Sequence, residues 1–148
     1  MIQFSELLIF RGNHINDYHL QILEALIFIF MNRIMFRLYN ASFKRLPDPD
    51  GLRYWIANFS SGKDSVRAVA SSFLASAEFK ERYGEDVSNA SYVNTLYQNV
   101  LDRNADTGGL NYWLGQLNSG AETRYEVLLG FSESVENKGL FSEMTAFY

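Results

Sequence analysis

Two acid-bearing phrases, PDPDGLRYW (Pro47 to Trp55) and ADTGGLNYW (Ala105 to Trp113), stand 58 positions apart in a chain of 148 residues. Carboxylates beside glycine are the raw material of a calcium loop, which needs about six to eight oxygen ligands. The first phrase offers Asp48 and Asp50. The second keeps Asp106 but has Gly108 in place of the other acid. Asp102, Asn104 and Asp106 match the first three ligand positions of an EF-hand loop, yet Thr107 and Trp113 stand where the pattern requires glycine and a bidentate glutamate. The equivalent positions of the first phrase are Lys44, Leu46 and Asp48, which cannot form such a site. Both phrases therefore read as helix starts. Asp48 is an N-cap ahead of Pro49 at the first helical position, Asp50 adds negative charge to the first turn, and Asp106 repeats the cap. Neither metal nor cofactor is expected.

Other reactive groups are sparse. The chain has no cysteine, which excludes disulfides, zinc-thiolate sites and thiol catalysis together. His14 and His19 are five apart, not the i, i+4 spacing of two ligands on one helix face. Both lie in the least regular part of the chain, away from the serines that would need a base. Gly108, Gly109, Gly115 and Gly120 make no phosphate-binding pattern, and no pair among the seventeen acids has a context that marks it for glycoside hydrolysis. Asn40, Asn58 and Asn89 each open an Asn-x-Ser triplet, which reads as helix surface and caps. A net charge of −4 with scattered Lys and Arg supplies no basic face for nucleic acid. No enzyme is expected, an uncharacterised hydrolase being the weakest alternative.

The elements that carry these phrases repeat. Sliding the chain by 58 aligns Tyr39–Gly84 on Tyr97–Ser142 without a gap, and 14 of the 46 pairs are identical, where average usage gives roughly three. The shared set includes Tyr39/Tyr97, Arg45/Arg103, Asp48/Asp106, Gly51/Gly109, Leu52/Leu110, Tyr54/Tyr112, Trp55/Trp113, Gly62/Gly120, Phe73/Phe131 and Glu78/Glu136. Each unit reads as helices throughout. Ile34, Met35, Leu38, Tyr39 and Phe43 share one helical face, as do Tyr92, Val93, Leu96, Tyr97, Val100 and Leu101, with Ser91 as the expected N-cap. Arg45 and Arg103 fall at the C-terminal ends of these helices, where a cation suits the dipole. Leu52, Trp55, Ile56 and Phe59 make the apolar stripe of the next helix, and Leu110, Trp113, Leu114 and Leu117 that of its counterpart. Gly62 and Gly120 stop them with positive φ. Thr123 and Glu126 form a capping box for a helix burying Val127, Leu128 and Phe131; Ser65 is the matching cap. Ser76 and Ser134 cap one more short helix, which in the first copy ends at Gly84. No segment alternates with period two, so no sheet is expected.

Residues 1–19 show no period and read as an irregular leader without the features of a cleaved signal peptide. Leu20 to Phe36 is the most apolar stretch, but Glu24, Asn32 and Arg33 keep it short of a membrane span. It reads as a buried helix covering one end of a bundle. The alternative, a docking or membrane-surface helix, lacks the basic face that lipid headgroups attract.

Two features sit at the edge of function. Arg45 with Glu78, and Arg103 with Glu136, are matched charges that could tie one helix end to another within each unit; solvated surface charge is the equal alternative. Tyr54 and Tyr112 lie one step outside the apolar stripes; packing with the hydroxyl in water is expected, and exposed rings for a glycan are the alternative. The whole phrase from Tyr92 to Asn137 resembles the bacterial family catalogued as domain of unknown function 4214. It shares Tyr-x3-Leu-x-Arg, Asp-x2-Gly-Leu-x-Tyr-Trp, Leu-x-Ser-Gly and Gly-Phe-x-x-Ser-x-Glu, and residues from about Ile34 onward follow the pattern more loosely. The unit is also similar to the helical linker modules of phycobilisomes. The resemblance implies a non-catalytic accessory module of exported or cell-surface bacterial proteins, with an uncleaved C-terminal signal if it is exported; the expected partner is a protein or, through Tyr54 and Tyr112, a surface glycan. It supplies no catalytic residues. The expected architecture is all-α: a compact bundle over residues 20–148, made of two related three-to-four-helix units (34–84 and 92–142) plus the N-terminal apolar helix.

Overall fold

Asp17 opens a helix that runs unbroken for 27 residues to Phe43 (α1), because no proline or glycine interrupts it. The computed structural model describes residues 17–145; within them every regular element is a helix. Seven more follow: α2 (Pro49–Ser60), α3 (Val66–Ala75), α4 (Ala77–Tyr83), α5 (Asn89–Leu101), α6 (Thr107–Ser119), α7 (Arg124–Ser132) and α8 (Val135–Thr145). No described helix is long and apolar enough to cross a membrane.

The local signals act as expected at most ends. Asp48 and Asp106 accept the Gly51 and Gly109 amides, each at 2.8 Å, and Pro49 occupies the first turn of α2. Ser65, Ser76 and Ser134 cap through Ala68, Phe79 and Asn137. Thr123 and Glu126 close the capping box. Gly62, Gly84 and Gly120 carry positive φ where α2, α4 and α6 stop. Ser91 does not cap α5. That helix starts earlier, and Ser88 accepts the Ser91 amide instead, since a serine one turn upstream satisfies the same free amides. Arg45 and Arg103 lie two residues beyond the ends of α1 and α5. Lys44 and Asp102, 58 apart, take the left-handed conformation there (φ 54° and 51°) without being glycine.

The C-terminal half of α1 packs with α3, α5 and α7 around one core. Met35, Leu38, Val69, Phe73, Val93, Leu96, Val127, Leu128 and Phe131 are buried there. The six residues assigned to the inner face of α5 are all buried. α3 lies on α7, and α1 touches both α5 and α7. α2 and α6 form an outer layer. Leu52, Trp55, Leu110, Trp113 and Leu117 are only partly covered, although they pack on the core, because one face of an outer helix meets protein and the rest meets water.

The N-terminal half of α1 corrects two expectations. Helix replaces leader from Asp17, while residues 1–16 lie outside the described part. Of the stretch expected to be buried, Ile34 and Met35 are, but the part before Met31 projects from the bundle, with Ile22, Leu26, Phe28, Ile29 and Phe30 exposed. A continuous helix extends about 1.5 Å per residue, and α1 outruns the shorter helices that could cover it.

Candidate functional site

The shared residues converge on two nodes of one design. In the first, Tyr39 is buried near the end of α1. The Trp55 indole N–H donates to its hydroxyl at 3.1 Å, and the Tyr39 and Phe73 rings meet edge to face at 4.8 Å. Arg45 lies over the Tyr39 ring, 5.4 Å from its centre. Its guanidinium grips Glu78 with two bonds, Nε to Oε1 at 2.8 Å and Nη2 to Oε2 at 2.9 Å. In the second node, Arg103 lies 4.9 Å from the centre of the Tyr97 ring and donates to Glu136 at 2.7 and 3.1 Å. Arg103 also reaches Asp106 at 3.4 Å. The pairing inferred for these charges holds in both units. A bidentate fork fixes direction as well as distance, so each arginine ties the last helix of its unit, α4 or α8, to the loop that follows the unit's first helix.

Glycine is required where the tyrosine hydroxyl meets the capped turn. A Cβ on Gly51 would approach the Tyr39 oxygen to 2.9 Å, and one on Gly109 would overlap the Tyr97 oxygen outright. The electrostatics follow the bonds. Asp48 and Asp106 are held below the usual aspartate range, first by the glycine amides they accept. The arginines lower Glu78 and Glu136. Burial raises Tyr39 and Tyr97. These shifts strengthen existing charges or keep phenols neutral; none creates a group poised for proton transfer.

Tyr54 and Tyr112 are both 55% exposed. Each ring stands edge to face on its neighbouring tryptophan, 4.8 and 5.0 Å between centres. The expected packing is therefore partial, and more than half of each residue faces outward. The indoles beneath are half-buried rather than interior. Beside Trp113 lies an open groove of about 430 Å³ lined by Arg67, Trp113, Glu122, Glu126, Leu129 and Gly130. A Cβ on Gly130 would come within 3.0 Å of the indole. Arg67 pairs with Glu126, whose carboxylate also serves the capping box. The first-unit counterparts of Gly130 and Glu126 are Ser72 and Ala68, so the groove lining is not repeated.

The remaining reactive groups are not brought together. Asp102 pairs with Lys44 at 3.3 Å while Asp106 caps α6, and no cluster of three metal-ligating side chains exists among the described residues. His19 is exposed on α1 and His14 lies outside the described part. Asn58 is buried with its amide on Asp64, and Asn89 is held by Asn118 and Arg124. Sequence spacing gave no warning of the bond from Tyr83 to the Ala41 carbonyl (2.6 Å) or from Tyr92 to the Arg124 carbonyl (2.8 Å). Nor did it reveal the Arg37–Glu133 pair. A buried tyrosine's need for a partner is the one general hint available.

The node running from Tyr97 to Glu136 falls within the segment that a known family shares. Residues 70–141 match the family model described as Domain of unknown function (DUF4214). The DUF4214 match enters within α3, takes in α4 to α7 and ends within α8. It thus contains the whole second node but only Phe73 and Glu78 of the first. No curated protein and no solved structure matches the chain.

Proposed function

We propose that the chain is a non-catalytic interaction module made of two tandem copies of the DUF4214 unit. The observation that carries this reading is how the shared residues are used. The charged members of the two nodes are bound to other groups of the same node: arginine to glutamate, and aspartate to the amide of glycine. Tryptophan and phenylalanine pack on the core. The shared aromatic residues left facing water are Tyr54 and Tyr112. A repeated signature consumed in self-support suits a rigid carrier of surfaces better than a reaction centre, which needs titratable groups free to change state. On the resemblance alone, we assign the module to an exported or cell-surface bacterial protein, where linker-like units organise other macromolecules.

A protein partner is the first reading. Surface glycan is the second, favoured by the outward tyrosine rings and the Trp113 groove, since aromatic faces and nearby carboxylates suit sugar rings and hydroxyls. The test compares two double variants against panels of glycans and bacterial surface proteins. Tyr54→Ala/Tyr112→Ala should abolish binding with the melting temperature within a few degrees of the parent. Arg103→Met/Glu136→Leu should lower the melting temperature and leave binding intact. The opposite pattern, or release of new reducing ends from a bound glycan, would overturn the proposal.

A further inference from the structure

The projecting half of α1 is an apolar surface with a defined register. Tyr18, Ile22, Leu26, Ile29 and Phe30 follow i, i+4, i+8, i+11 and i+12, the spacing of one helical face. Their exposures run from 44% to 65%. Leu20, Leu23, Ile27 and Met31, on the opposite side, are partly covered and continue the line of Ile34 and Leu38 into the core. The stripe therefore points away from the bundle and is not an unfinished part of its packing.

We infer that this stripe is an isologous interface through which two copies of the chain pair by antiparallel contact of their α1 arms. Three observations select a second copy over other occupants. First, the area suffices: five half-exposed side chains of this size offer roughly 500 Å² per copy, so two stripes face to face bury about the 1,000 Å² that a specific interface requires. Second, the register is its own complement. With a two-fold axis level with residue 24, Ile22 faces the partner's Leu26 and Tyr18 faces the partner's Phe30, as an isologous contact demands, while Ile29 meets the partner's His19 at the edge of the contact. Third, the stripe brings no charge against its own copy. Glu24 is the one ionised side chain between Tyr18 and Asn32, and it lies off the stripe, so two stripes meet without apposed acids. The arm lacks the basic face that would seat it on anionic lipid.

This inference is independent of the outward tyrosines and stands whether or not they bind a partner. It is tested on the full chain by sedimentation equilibrium and light scattering from 1 to about 200 µM. A discrete dimer is expected. Leu26→Glu/Ile29→Glu should raise its dissociation constant at least about a hundredfold while the helical circular dichroism stays unchanged. Because the chain has no cysteine, Ile22→Cys and Leu26→Cys variants report the register. Oxidising their mixture should give the mixed disulfide in excess of either homodimer, whereas an excess of Ile22→Cys homodimer would overturn the antiparallel contact. A wild-type chain that stays monomeric throughout would overturn the inference, as would polydisperse aggregates. So would binding to neutral phosphatidylcholine vesicles by a monomer, which would assign the stripe to lipid.

Discussion

Gly109 shows how a residue chosen for what it lacks can fix a whole turn. Its amide caps into Asp106, and its missing side chain leaves room for the Tyr97 hydroxyl. Alanine there would gain up to about 1 kcal/mol in helix propensity. Overpacking against a buried ring costs about 1–3 kcal/mol, and the overlap is severe enough for the second effect to win. Gly109→Ala should thus be destabilised by about 1–2 kcal/mol in urea unfolding, and Tyr97→Phe in the same chain should recover most of the loss. Gly51→Ala, with its wider clearance, should cost less. Recovery absent from the double variant would show that the tyrosine oxygen is not the obstacle. Both glycines were visible as repeated residues in the sequence, and so was the aspartate cap. The tyrosine lies twelve residues upstream on another helix, so its contact could not be read from local spacing.

Between elements, the decisive bonds join residues with no repeated partner. Arg37 on α1 donates to Glu133, just past α7, through Nε at 2.9 Å and Nη2 at 2.7 Å, with the arginine almost wholly buried. The positions 58 away are Thr95 and Ala75, so comparing the two units cannot reveal this bond. Removing one member leaves a buried charge unpaired, which costs about 3 kcal/mol; replacing both with apolar groups of similar volume is often neutral. Glu133→Ala should lose about 2–3 kcal/mol, and Arg37→Met/Glu133→Leu should return to within about 1 kcal/mol of the parent. Equal losses in both variants, measured by thermal unfolding, would count against a desolvated pair. Lys44 adds a second tie, reaching the Asn99 carbonyl at 2.7 Å and the Asp102 carboxylate. It joins the two left-handed helix ends at the seam.

For the molecule as a whole, pH should act from both sides. Asp48, Glu78, Glu85, Asp106 and Glu136 are all lowered in the folded chain from ordinary values of 3.8 (Asp) or 4.5 (Glu). Amides account chiefly for the two aspartates, and Arg45, Lys80 and Arg103 for the glutamates. Lowered carboxylates contribute stability that is present above their unfolded pKa and lost as pH falls through the folded values. Burial raises Tyr83 and Tyr92 above the ordinary 10.0, so their contribution is complete below pH 10 and is lost as pH rises beyond it. The melting temperature should be level between about pH 5 and 9 and fall on either side. Tyr83→Phe should soften the alkaline fall without changing the acid one. A melting temperature still level at pH 3 would remove the carboxylate bonds as contributors.

The residue order determined the helical class, the offset of 58 and most helix starts and stops, because caps, left-handed glycines and apolar periods act within a turn or two of the chain. It also offered Arg45 with Glu78 and Arg103 with Glu136 as candidate pairs, since the same spacing occurs twice, and the tertiary structure decided between pairing and solvated surface charge. Tertiary structure alone decided which apolar faces are covered. The α2 and α6 stripes are only half hidden and the first half of α1 stands open, although its composition is the most apolar in the chain. Periodicity gives the direction a face points along its own helix. Burial depends on what another element brings against that face, and that distance is set by packing rather than by sequence.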